Sequence, residues 1–151
     1  MFLRVPIFSA LTKKLNSARF SRTLGSLLAG GVSLTEAIKI TADSLTNVYY
    51  KRAVAATLAE VEKGRTLSSL LVKSPDLFPP VVTEMIAVGE ETGSLVLILK
   101  ELARFFEGEV AVTTKGLSSI VEPVITIVIG IVVGIFALSI IQPIYSITSA
   151  L

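Results

Sequence analysis

Apolar residues repeat at three- and four-residue intervals along the first two thirds of the chain, punctuated by glycine and proline, and then fuse into one continuous run from Pro123 to Ile141. The repeating part predicts a series of amphipathic helices. A first, about Ser17 to Ala29, stops at Gly30-Gly31, where glycine can take the left-handed cap. Ser33-Leu34-Thr35-Glu36 has the S-x-x-E spacing in which hydroxyl and carboxylate satisfy orphan amides reciprocally, and Leu34, Ala37, Ile38, Thr41 and Leu45 then share one face. A third helix, about Asn47 to Lys63, presents Tyr50, Val54, Leu58 and Val61 and stops at Gly64. A short fourth, Thr66 to Val72, leads through Ser74-Pro75-Asp76 to Pro79-Pro80, where proline can open a fifth helix because its missing amide has no partner in the first turn. Gly93 breaks that helix after Glu91, and Ser94 caps a sixth carrying Leu95, Ile98, Leu99, Leu102, Phe105 and Phe106.

No stretch before the apolar run alternates convincingly at period two. The expected fold is therefore all-α: an antiparallel bundle of about six helices with short connections, followed by one C-terminal transmembrane helix. The run PVITIVIGIVVGIFALSII contains no charged side chain, nor does anything between it and Leu151. At ~1.5 Å rise per residue it is long enough to cross a hydrocarbon core of roughly 30 Å. Four segments follow: a basic juxtamembrane stretch at 1–16, a cytoplasmic helical bundle at 17–116, a transmembrane helix at 117–144 and an external tail at 145–151.

Charge sets the orientation. All 14 Lys and Arg lie between Arg4 and Lys115, with Lys100, Arg104 and Lys115 near the membrane entry and none after the run. The positive-inside bias places the helical part in the cytoplasm and the C-terminus outside. Pro6 and the Lys13-Lys14 pair interrupt any apolar signal-peptide core at the other end. Residues 1–22 carry five basic side chains and no acid, as a segment near anionic lipid would, while residues 23–116 carry nine basic against eleven acidic. No nucleic-acid footprint is needed to account for the net charge of +2. The chain has no Cys and no His, which removes disulfides, thiolate nucleophiles, the commonest zinc ligands and the commonest general base.

Two polar clusters are the candidate sites. In Gly89-Glu90-Glu91-Thr92-Gly93, Glu90, Glu91 and Gly93 can form a docking surface for a partner, or the carboxylates can hold a cation with backbone carbonyls. The alternative is structural: Gly89 lets two helices approach, Gly93 turns the chain, and the glutamates are solvated or paired. On the docking reading, reversing both glutamates to lysine is expected to leave the fold within a few degrees of its melting temperature. Adjacent carboxylates on a helix point about 100° apart, which argues against paired acid and base chemistry. The second cluster begins with Glu122 and Pro123 at the edge of the apolar run and continues through Thr126, Gly130, Gly134 and Ala137. These positions recur every three or four residues and form a small-residue stripe of the kind that packs membrane helices, whereas Ile125, Val128, Val132 and Phe136 point elsewhere. Glu122 is alternatively a transport residue, although no second charge lies in the run to relay a proton. Tyr49-Tyr50-Lys51-Arg52 is read as the first turn of a helix, and no phosphate-binding glycine loop occurs.

Three stretches carry a resemblance: ARFSRTLGSLLAGGVSLTEAIKI at 18–40, FPPVVTEMIAVGEETGSLVLILKELARFF within 77–106, and SSIVEPVITIVIG with QPIY within 118–145. In that order and spacing they resemble the inner-membrane platform proteins of type II secretion and type IV pilus assembly, the F/PilC family. The likeness covers nearly the whole chain but only about the last third to half of a typical member, corresponding to the second of two helical cytoplasmic domains and the last of three membrane helices. LRVPIFSALTKKL is similar to the basic stretch after that family's second membrane helix. The resemblance implies a non-catalytic, cofactor-free inner-membrane scaffold coupling a cytoplasmic hexameric assembly ATPase to polymerisation of pilin or pseudopilin subunits. Other inner-membrane platform components, a second copy of the chain and membrane lipid are the further partners it implies. A small transporter or channel subunit using Glu122 is the alternative from another class.

Overall fold

The computed structural model describes the backbone of residues 6–148 and the side chains of residues 9–116, 123 and 125–136. Six helices follow in chain order: α1 (Pro6–Ala29), α2 (Leu34–Ser44), α3 (Val48–Glu62), α4 (Leu67–Leu71), α5 (Pro80–Glu91) and α6 (Leu95–Thr148). The described residues contain no strand. The chain divides into two compact units, Met1–Ala111 and Val112–Leu151.

Within the first unit the caps fall where the side chains allow them. Ser33 Oγ accepts from Glu36 N at 3.4 Å to start α2, and Asn47 Oδ1 accepts from Tyr49 N at 3.0 Å to start α3. Gly31, Gly64 and Gly93, at φ of +82°, +88° and +68°, end α1, α3 and α5. α1 begins at Pro6 rather than near Ser17, because proline suits a first helical turn and Lys13 and Lys14 are themselves good helix formers. Asn16 Nδ2 donates to Thr12 O at 2.8 Å and Lys14 Nζ meets Glu109 Oε2 at 2.7 Å, so the basic segment is tied into the bundle.

The core is built around Phe78, which sits in the irregular connection between α4 and α5. Its ring lies 5.2 Å from Phe20 of α1 and 5.3 Å from Tyr50 of α3, both edge-on, the geometry aromatic quadrupoles favour. Tyr50 donates its hydroxyl proton to Leu77 O, and burial pushes the phenol above its ordinary pKa. Around this trio Leu24, Ile38, Val54, Leu67, Leu71, Val82, Ile86, Leu99 and Leu102 are wholly or almost wholly buried. Leu58 and Val61, expected on the buried stripe of α3, are half-buried at its margin. On α6 the buried set is Leu99, Leu102, Ala103 and Phe106, whereas Phe105, another of its regularly spaced apolar residues, stands 54% exposed one position out of register.

Two glycines bring helices together where any side chain would collide. A Cβ on Gly25 of α1 would lie 3.0 Å from Leu99 Cβ of α6, and one on Gly89 of α5 would lie 3.0 Å from Leu95 Cα. Both are the approach distances of backbones in direct contact.

The second unit consists of the remainder of α6. Ser119 to Glu122 has the spacing of a capping box, but α6 is helical across that stretch and through Pro123, which forgoes one backbone hydrogen bond. It runs on to Thr148, so residues 145–148 of the expected tail are helical and 149–151 lie outside the described residues. Among the described residues no helix is long and apolar enough to cross a membrane. The described side chains of the apolar run are Pro123 and residues 125–136, and the remainder of the run lies outside the description.

Candidate functional site

The acidic cluster sits where α5 ends against α4 and turns into α6, and its two carboxylates have different fates. Glu90 points at the start of α4. Its Oε1 accepts from Leu67 N at 2.6 Å, and its Oε2 accepts from Ser68 N at 3.1 Å and from Ser68 Oγ at 2.5 Å. These are first-turn donors with no partner inside a helix, and Thr66, at the capping position, makes no side-chain cap. A helix of one and a half turns thus takes its cap from a residue 23 positions away in sequence. A carboxylate facing helix amides is also favoured by the local dipole. Glu90 is therefore not the free surface acid that the adjacent-carboxylate pattern suggested. The expectation that both glutamates can be reversed without cost to the fold is corrected for this residue, because a lysine there would leave three donors unmet.

Glu91 is exposed, one residue and about 100° around α5. It continues a stripe of Val81, Glu84 and Val88 on the outer face of α5, in which exposed valines alternate with acids. Gly93 supplies the left-handed turn behind it, closed by Ser94 N donating to Gly89 O at 2.9 Å. The turn and the close approach at Gly89 match the structural side of the sequence reading. Among the described residues no three acidic side chains converge as a metal site requires.

The small-residue stripe of α6 lies in the second unit. Gly130 and Gly134 face open space: a Cβ at either would meet nothing within 4 Å. Thr126 is exposed, and so are Ile125, Val128, Val132 and Phe136 around the rest of the helix. The side chains of Glu122 and Ala137 lie outside the described residues.

Long-range ion pairs were not legible in the sequence. Arg22 of α1 holds Glu107 of α6 through both carboxylate oxygens, with Nε to Oε1 at 2.7 Å. The guanidinium, by hydrogen bond and by charge, keeps the Glu107 carboxyl below its ordinary range, and Glu107 in turn raises Arg22. Glu60 on α3 is lowered in the same way by hydrogen bonds from Lys63 and Arg65. Only the first of these pairings at 60–65, at (i, i+3), follows a spacing rule.

The site thus lies in an all-helical unit whose last helix continues into an apolar run. Comparison with known proteins makes this specific. Residues 20–143 match the family model for the type II secretion system protein F. The chain belongs to that family. It is 38% identical over 149 residues to the type IV pilus assembly protein PilC of Thermus thermophilus, covering 99% of this chain and 37% of that protein. It is 32% identical to PilC of Myxococcus xanthus, covering 100% of this chain and 36% of the relative. Against the type II secretion system protein F of Xanthomonas campestris the identity is 37%, with 99% and 36% covered. The chain thus spans little more than a third of the length of these relatives.

Proposed function

We propose that this chain forms part of a non-catalytic inner-membrane platform in type II secretion or type IV pilus assembly. The observation that carries the proposal is the match of residues 20–143 to the protein F family together with the charge-free run from Pro123 onward. On this reading residues 17–116 lie in the cytoplasm, the run within 117–144 crosses the membrane, and the C-terminus is external, a topology supported by the distribution of Lys and Arg. The helical unit engages a cytoplasmic hexameric assembly ATPase, and the membrane segment meets pilin or pseudopilin subunits, other platform components or a second copy of the chain. The chain works by conformational coupling, which requires the nucleotide states of the ATPase to contact it differently.

The α5 face is the partner surface this reading favours. Glu91 contacts the partner directly, while Glu90 and Gly93 hold the α4 and α6 ends of α5 in place behind it. A photo-crosslinking residue at Val88 or Glu91 in cells tests the proposal, with Glu36 on α2 as the control position. Adducts with the assembly ATPase from α5 and none from α2 are expected. Equal labelling from both faces, or adducts with periplasmic proteins alone, would overturn the assignment.

A further inference from the structure

We infer that one end of the first unit, formed by the start of α1 and the turn between α2 and α3, docks on the surface of an anionic lipid bilayer, with Val48 and Tyr49 seated among the headgroups. The inference rests on the reading that the apolar run crosses a membrane. It adds to that reading a direct contact between the helical unit and lipid.

Val48 and Tyr49 open α3 and stand 54% and 60% exposed, although the next residue, Tyr50, is buried. The turn beneath them is braced on several sides. Leu45 is buried, Arg19 Nη1 of α1 donates to Thr46 Oγ1 at 2.9 Å, and Lys51 Nζ meets Asp43 Oδ1 at 2.9 Å across the turn. The Tyr50 hydroxyl, donating to Leu77 O, pins the first turn of α3 from the other side. A fixed support thus displays the two apolar side chains and keeps them from folding inward. Beside Tyr49 opens a cleft of about 330 Å³ whose walls include Thr12 and Lys13 of α1, Tyr50 and Leu77. A tyrosine, with an apolar ring and a polar tip, is suited to the boundary between headgroups and acyl chains.

Charge and tether name the occupant. Lys13 and Arg52 have no carboxylate partner among the described residues, and Arg52 shares a face of α3 with Tyr49 and Val48 at three- and four-residue spacing. With Arg19 they outnumber Asp76, the acid at this end that forms no ion pair among the described residues and that also lines the cleft. An excess of base around exposed apolar side chains favours an anionic leaflet. Lys13 lines the cleft at Tyr49 while its neighbour Lys14 meets Glu109 Oε2 of α6 at 2.7 Å, so this is also the end at which the chain leaves the unit after Ala111. Only twelve residues separate Ala111 from Pro123, about 18 Å of helix at ~1.5 Å per residue. A bilayer that holds the run is therefore tethered by a short link to the end that carries Val48 and Tyr49. A soluble protein partner would draw nothing from that tether.

The chain contains no Trp, so single tryptophans can report position in the full chain reconstituted into vesicles. Tyr49→Trp is compared with Ala59→Trp, exposed farther along α3, and with Ile129→Trp in the apolar run. The vesicles are phosphatidylcholine brominated either near the headgroup or near the methyl end of its acyl chains, with or without a quarter of phosphatidylglycerol. With phosphatidylglycerol present, quenching of Tyr49→Trp by the shallow bromines should be about three-fold that of Ala59→Trp. It should fall by about half without phosphatidylglycerol, and equally when Lys13→Gln and Arg52→Gln are added. Ile129→Trp, quenched by the deep bromines, checks the crossing separately. Equal shallow quenching at 49 and 59 beside a quenched Ile129→Trp would overturn the docking and leave the crossing intact. Quenching at 49 that is indifferent to phosphatidylglycerol or to the double substitution would also overturn it. No quenching at any of the three positions would overturn both the docking and the crossing on which it rests.

Discussion

Replacing Glu90 by alanine removes the acceptor for Leu67 N, Ser68 N and Ser68 Oγ, at 2.6, 3.1 and 2.5 Å. Hydrogen bonds to a charged group contribute about 1.5–3 kcal/mol each where water is excluded. Glu90 is half-buried, so water recovers part of that loss, and a net destabilisation of about 2–4 kcal/mol is expected. For a helical unit of this size, at about 5 °C per kcal/mol, the melting temperature should fall by about 10–20 °C. Glu90→Gln, which keeps the shape but turns an amide donor toward amide donors, should fall in between. Glu91→Ala should stay within about 0.5 kcal/mol, since nothing in the unit leans on it. Circular dichroism of the full chain in detergent gives the melting temperatures, and hydrogen exchange localises the effect, with amides 67–71 losing protection first. Equal melting temperatures for the Glu90 and Glu91 alanine variants would refute the assignment of Glu90 as the cap of α4.

Gly89→Ala should destabilise the unit by about 1–3 kcal/mol by thermal unfolding, because the new methyl would meet Leu95 Cα at 3.0 Å, backbone that has no rotamer to yield. The Arg22–Glu107 pair holds the Glu107 pKa below its ordinary value of 4.5, so its stabilisation is present above that value and is lost as pH falls through and below it. The Tm difference between wild type and Glu107→Gln should accordingly be positive near neutral pH and shrink toward zero in acid; a difference that grows on acidification would contradict the pairing. Cysteines placed along Thr126, Gly130 and Gly134 should crosslink to a neighbouring membrane helix in cells, and replacing both glycines by isoleucine should abolish this at unchanged abundance. Equal crosslinking from Val128 and Val132 would deny the stripe any special part.

The sequence made the helical unit legible wherever the signal was local. Ser33 and Glu36, the glycines at 31, 64 and 93, and the proline at 80 each act within one turn of chain, and each marks the boundary found. The reach of α1 back to Pro6 was missed because a lysine pair reads as a charged linker until its ion pair with Glu109 is known. Helical spacing identifies a broad apolar face on α6 but does not fix which of the adjacent Phe105 and Phe106 points inward. Glu90 was misread for a deeper reason. A capping box announces itself across three residues, whereas a cap donated from 23 residues away leaves no spacing to recognise. The family was legible from ordered segments.

The fastening of α1 to α6 has a mechanical consequence. Three attachments follow one another antiparallel along the two helices: Gly25 against Leu99, Arg22 to Glu107 and Lys14 to Glu109. On α6 they span about 15 Å of axis at ~1.5 Å per residue. Tension applied along α6 loads all three in shear, so they share the force and must yield together, whereas tension across the axis would peel them one at a time. Rupture under force is governed by the unfolding rate, so the axial direction is the strong one. A helix so riveted and pulled lengthwise hands its load to α1 as well as to α5, which it meets at Gly89 and Leu95.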